Sequence, residues 1–168
     1  MASFKNIPLG TPEKFNVVLE IPKNSPIKYE YDPNTDKFIK DFIFKNGFVY
    51  KYNYGFIPQT LAEDGDTLDV LVLSEQEIAT GTVIQAQAIG MIEMLDRGQS
   101  DNKILAVPVG EKSKLKSVGD LTPQQLQEFR DFFAEIARQK NKTIIINGFL
   151  DKDLAIAEIR RCQLKFQQ

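Results

Sequence analysis

Apolar and polar positions follow two regimes along the chain. Up to about residue 110, short runs rich in β-branched and aromatic side chains alternate with turn residues, which is the pattern of strands. Phe15 to Ile21 is the first run, ended by Pro22 and Asn24-Ser25-Pro26. Ile27 to Tyr31 follows, bounded by Asp32-Pro33-Asn34, and then Lys37 to Phe44, which stops near Asn46-Gly47. Phe48 to Phe56 reads as an extended aromatic segment, and Leu68 to Leu73, Thr82 to Ile92 and Ile104 to Val109 as further strands. Beyond residue 120 the period changes. Thr122-Pro123-Gln124-Gln125 is a capping-box helix start with proline at the first helical position. Leu126, Phe129, Phe132, Phe133 and Ile136 then recur at helical spacing. Thr143 to Ile146 predicts one more strand, closed by Asn147-Gly148, and Asp151 or Asp153 caps a last helix with Ala155, Ile159, Cys162 and Phe166 on one face. Strands first and helices later predict an α+β fold, mainly β, with a barrel or curled sheet carrying helices on its flank.

A chain of 168 residues suits one domain, so residues 1–168 are expected to fold as a single unit. The formal net charge of -2 supplies no basic field, so neither nucleic acid nor a membrane is an expected partner. There is no histidine and only one cysteine. That excludes Ser-His-Asp and Cys-His nucleophiles and His- or four-Cys-ligated zinc. Cys162 has no partner for an internal disulfide, which fits a cytoplasmic location. The N-terminal MASFKNIPLG lacks an apolar h-region, and no apolar run approaches the ~20 residues that span a bilayer. Chemistry is left to carboxylates, lysines, arginines and tyrosines.

Asp64-Gly65-Asp66-Thr67-Leu68-Asp69 places three acids in six residues at the mouth of an apolar strand. In an extended chain Asp64 and Asp66 share a face and Asp69 does not, but Gly65 and a turn can break that parity and converge all three. Convergent carboxylates repel unless a cation lies among them, and an all-oxygen site suits a hard ion such as Mg²⁺. A solvated acidic turn accounts for the hexapeptide equally well. Asp96-Arg97-Gly98-Gln99-Ser100-Asp101-Asn102-Lys103 reads first as a polar hairpin loop, with Asp101 and Lys103 on one face. Lys28 and Glu30 share a face of their strand, where a cross-strand ion pair is the plainer explanation. Tyr50, Tyr52 and Tyr54 share another, either as an aromatic stripe or as hydroxyls lining a polar cavity. Together these groups supply what phosphoryl transfer to water requires: carboxylates for metals, cationic donors for phosphate oxygens, and a base for water.

The order of the motifs resembles the family I soluble inorganic pyrophosphatases. The resemblance rests on Glu20-Ile-Pro, Pro26-Ile-Lys28-Tyr-Glu30, Tyr50 with Asn53-Tyr54-Gly55, Asp64-Gly-Asp66-x-x-Asp69-Val, Asp96 with Asp101-x-Lys103, and Ala106-Val-Pro108. It implies a five-stranded OB-like β-barrel with flanking C-terminal α-helices, several Mg²⁺ ions per site, hydrolysis of inorganic pyrophosphate, and a homo-oligomer. Carried over by motif, Asp64, Asp69, Asp96 and Asp101 are metal ligands, with Glu20 and Glu30 assisting directly or through water. Asp66 is the general base, with Tyr54 beside it in the catalytic set, and Lys28, Tyr50, Tyr54 and Lys103 bind substrate. Three positions depart from the pattern. Phe42 stands where the family has a phosphate-binding arginine, and Ile136 and Ala137 stand where it has a Tyr-Lys pair. Thr67 is a smaller deviation. Lys40, Lys45, Lys51, Arg97, Arg138 and Lys140 are the candidate replacement cations. The same residues admit two other activities: a divergent hydrolase of an organic phosphoanhydride or phosphate ester, and a non-catalytic metal- or phosphate-binding module.

Overall fold

A computed structural model describes residues 3–168. After a short 3-10 turn at Phe4–Asn6 come β1 (Gly10–Thr11), β2 (Lys14–Ile21), β3 (Ile27–Asp32), β4 (Lys37–Ile43), β5 (Asn53–Ile57), β6 (Leu68–Val72), β7 (Val83–Asp96), β8 (Gln99–Ser100) and β9 (Lys103–Pro108). Then follow α1 (Pro123–Gln139), β10 (Ile144–Asp151) and α2 (Lys152–Phe166). Strands β2, β5, β6, β9 and β7 bond in that order, and β7 returns to β2, so five strands close into a barrel. All of its pairings are antiparallel except β6 with β9. The expected mainly-β barrel with C-terminal helices is therefore what the chain forms. The β3–β4 hairpin stands apart as its own two-stranded sheet, and β10 extends β7.

The barrel wall is apolar on both faces, which explains why its strands read as nearly continuous hydrophobic runs. Val70, Val72, Ile104 and Ala106 belong to one cluster, which α2 joins with Ala155, Ile159 and Cys162. The alternate residues Leu71, Leu105 and Val107 belong to a second, which α1 joins with Phe129, Phe132, Phe133 and Ile136. At the start of α1, the Thr122 side chain accepts from Gln125 N–H while the Gln125 side chain accepts from Thr122 N–H, the reciprocal bonding its sequence predicts. Of the two candidate caps for α2, Asp151 occupies the position.

Two expectations change. Phe48 to Tyr52 is not strand, because its backbone bonds go elsewhere. Tyr50 N–H donates to Ser25 O, and Tyr50 O accepts from Asn24 N–H, so this segment is tied to the turn before β3. The ladder begins only at Asn53, whose buried carboxamide accepts from Lys23 and Ile78 N–H and donates to Gln76 O. Nor does Asn147-Gly148 end its strand. The register shifts between Ile146 and Gly148, and the strand continues past this bulge to Asp151. Among the described residues, no helix is long and apolar enough to cross a membrane.

Two tests follow from the packing. A Cβ on Gly55 would lie 2.2 Å from the Val18 carbonyl oxygen in the neighbouring strand, and a backbone atom cannot step aside. Gly55→Ala is expected to lower stability by about 3 kcal/mol, read from the denaturant midpoint. Burial pushes the Cys162 thiol up to about 12. A thiol reagent at pH 8 should therefore leave Cys162 unmodified in the native protein and modify it fully in denaturant, since only the thiolate reacts.

Candidate active site

The site is set first by the parallel register of β6 and β9, which places Asp69 beside Lys103. Both project to the face covered by α1, in phase with Leu71 and Leu105. Lys103 Nζ donates to Asp69 Oδ2 and Asp101 Oδ1, and the Tyr54 hydroxyl donates to the same Asp69 oxygen at 2.7 Å. Lys103 is only 5% exposed. Burial alone would favour its neutral amine, but Asp69 and Asp101 outweigh that and hold the ammonium above its ordinary range. Burial, reinforced by Asp69 and Asp101, keeps the Tyr54 phenol protonated.

The acidic hexapeptide is both a turn and a wall of the site. Gly65 sits at φ +86°, where a side chain is strained, and its N–H donates to Ala62 O. Asp66 N–H donates to Asp64 Oδ1 at 3.0 Å, and Asp66 O accepts from Ala62 N–H. Buried Thr60 then pins the start of β6, accepting from Leu68 N–H and donating to Ile57 O. The parity break expected of Gly65 thus occurs. Opposite lies the β7–β8 hairpin, whose two turn residues, Arg97 and Gly98, both have positive φ. It presents Asp96 and Asp101 toward the same space. Glu20, at the end of β2, accepts from Tyr31 N–H, and burial followed by Asp69 pushes its carboxyl up to about 8.

These parts surround one cavity of about 480 Å³. Glu20, Lys28, Glu30, Tyr50, Tyr54, Asp64, Asp66, Asp69, Asp96, Asp101 and Lys103 all line it. Tyr52 does not: it stacks on Phe129 at 4.7 Å, because the segment before Asn53 is not extended. The plainer reading of the Lys28 strand also holds. Lys28 makes the expected cross-strand ion pair, with Asp41 at 2.9 Å, where β4 carries one extra residue opposite β3. Of the candidate replacement cations, only Lys140 lines the cavity. Lys142 and Lys5, which the sequence patterns did not single out, also reach it. Lys142 donates to Asp96 Oδ2 from just beyond Asn141, whose φ of +51° ends the helix. An Asn directly before a lysine at a helix end was the available cue.

The donor chemistry fits a hard divalent ion. Carboxylate oxygens outnumber ammonium groups around the cavity, and burial, with the neighbouring carboxylates adding to it, raises the carboxyls of Asp64 and Asp66. Among the described residues, no three acidic or cysteine side chains close around a single point to hold an ion unaided. Mg²⁺ suits such a layout, since it takes one or two carboxylates and completes its shell with water and phosphate oxygens.

Residues 17–167 match the family described as inorganic pyrophosphatase. A soluble inorganic pyrophosphatase of Oryza sativa subsp. indica is 41% identical over 153 residues, 90% of this chain and 72% of that protein. Soluble inorganic pyrophosphatase 3 of Arabidopsis thaliana is 43% identical over 146 residues, covering 86% and 68%. Among solved structures, an inorganic pyrophosphatase from Thermus thermophilus superposes with a TM-score of 0.92 at 33% identity, over 99% of this chain and 100% of that one.

The buried Lys103 cluster makes its own test. Lys103→Met leaves Asp69 and Asp101 facing each other without their cation, and breaking a buried pair costs about 3–5 kcal/mol. Denaturant unfolding in chelator should show that loss, and millimolar Mg²⁺ should return part of it.

Proposed function

Since the chain belongs to the inorganic pyrophosphatase family, we propose that it splits inorganic pyrophosphate into two phosphates in the carboxylate-lined cavity. The observation that carries this reading is the convergence of Asp64, Asp66, Asp69, Asp96 and Asp101, from two connecting segments and the strands β6 and β7, around one space with Lys103 at its base. The family works with divalent metal ions, and magnesium is the ion that this oxygen-only donor set favours. Asp64, Asp69, Asp96 and Asp101 would hold it, with Glu20 and Glu30 at the periphery. Bound there, the ions neutralise phosphate oxygens and make a coordinated water more acidic.

The chain's own residues do the rest. Asp66 has no cationic partner within ion-pair distance among the described residues, so its carboxylate is available to take a proton from the attacking water. The water oxygen bonds to one phosphorus, and the bridging P–O bond breaks toward the other phosphate. Lys28, Lys103 and the Tyr54 and Tyr50 hydroxyls supply donors for the oxygens on which charge develops. The ring of Tyr50 meets that of Tyr54 edge-on at 5.7 Å, which fixes the direction of both.

Phosphate release from pyrophosphate should require Mg²⁺ and cease in chelator. Asp66→Asn is expected to lower kcat by about 10²–10⁴-fold, the range of a positioned base. Asp69→Asn should lower both kcat and Mg²⁺ affinity. Undiminished turnover in either variant, or a clear preference for an organic phosphate in a substrate panel, would overturn this assignment.

A further inference from the structure

The resemblance leaves Phe42 in place of a phosphate-binding arginine, yet the space beside it is not without charge. Phe42 pairs with Lys28 across the β3–β4 hairpin, so both side chains lie on the same face. Lys140, the residue that ends α1, lays its ammonium over the Phe42 ring, 5.6 Å from the centroid. The same ammonium lies 3.7 Å from Asp41 Oδ2, the oxygen that Lys28 approaches at 2.9 Å. One carboxylate therefore serves two ammonium groups, and the nearby Lys142 is already matched by Asp96. Among the described residues, Lys140 has no second carboxylate within ion-pair distance. Burial, then Lys28 and Lys142, pull Lys140 down to about 8, as an ammonium held among cations should be.

The placement of Lys140 is built into the fold. The neighbouring Gln139 side chain accepts from Lys45 N–H at 2.8 Å and donates to Lys45 O at 3.1 Å, which ties the end of α1 to the segment just after β4. Gln139 also donates to Glu135 Oε1, so its own direction is held. The other candidate cations do not compete: Lys40 and Lys45 are exposed and do not line the cavity. Arg138 is occupied by Glu135, Lys51 lines a different cavity, and Arg97 sits exposed at the hairpin tip.

We propose that Lys140, seated on the Phe42 ring and shared with Lys28 through Asp41, is a substrate-binding residue that holds a phosphate group at the Phe42 side of the cavity. From the end of the helix it supplies the cation that the resemblance leads one to expect at positions 42 and 137. Phe42 becomes the platform on which the ammonium rests rather than a gap in the phosphate cradle. This rests on the pyrophosphate reading of the same cavity.

The test compares Lys140→Ala, Lys140→Gln, Lys140→Arg and the double variant Phe42→Arg/Lys140→Ala. The readouts are KM and kcat for pyrophosphate with Mg²⁺, the Kd of inorganic phosphate by calorimetry, and Tm. Lys140→Ala and Lys140→Gln should each raise KM and the phosphate Kd by about 10- to 100-fold, the weight of one charge-assisted hydrogen bond, at nearly unchanged Tm. Lys140→Arg should stay near wild type, and Phe42→Arg in the Lys140→Ala background should recover most of the loss by returning a cation to that side. Wild-type KM and phosphate Kd in both neutral variants would overturn the proposal. A loss that neither arginine variant restores would do so as well, by marking Lys140 as merely structural. A wild-type protein that binds phosphate but does not hydrolyse pyrophosphate refutes the pyrophosphate reading, while the phosphate arm still decides Lys140.

Discussion

One buried ammonium organises this protein. Lys103 lies in the barrel wall, where an unpaired charge would not be tolerated, and it persists because Asp69 and Asp101 both point at it. Asp69 is there because β6 runs parallel to β9 in a register that pairs the two residues directly. Asp101 is there because the chain turns through Arg97-Gly98 and passes Asp101 two residues before β9 begins at Lys103. The only parallel pairing of the barrel thus creates the site. Tyr54 from β5 completes the group by donating to Asp69, which ties three strands to a single carboxylate.

Around that centre the charge is unevenly distributed. The Asp64–Asp66 side is acidic and short of cations, which suits metal ions. The far end, where β3, β4 and the end of α1 meet, is rich in lysine. Lys28, Lys140 and Lys142 approach from two separate parts of the chain, with Asp41 and Asp96 as their only carboxylate partners in ion-pair range among the described residues. A substrate with two phosphate groups matches such a gradient, since metals and ammonium groups can share its charge. The α1 helix contributes twice: its aromatic face seals the barrel wall beneath the site, and its terminus carries the lysine.

The sequence patterns were most dependable where one local cause sufficed. The capping box at Thr122 and the glycine at 65 each act over a few residues, and both do what their residue types predict. They failed where a distant partner intervened. The aromatic run from Phe48 looks extended, but the Asn24–Ser25 turn takes the backbone bonds of Tyr50, and Tyr52 swings to Phe129. Asn147-Gly148 carries the composition of a turn, yet pairing with β7 carries the strand through it as a bulge.

By itself, the sequence determined the chemistry available. Without histidine or a second cysteine, the chain is left with carboxylates, ammonium and guanidinium groups and phenols, and the spacing of the carboxylates marks the acidic loops. Tertiary structure alone decided which of them meet. The partnership of Asp69 with Lys103 depends on a parallel register between strands about 30 residues apart, and that of Lys140 with Phe42 on how a helix end docks against a hairpin. Neither leaves a periodic trace in the chain, because each is set by the packing of whole elements rather than by neighbouring residues.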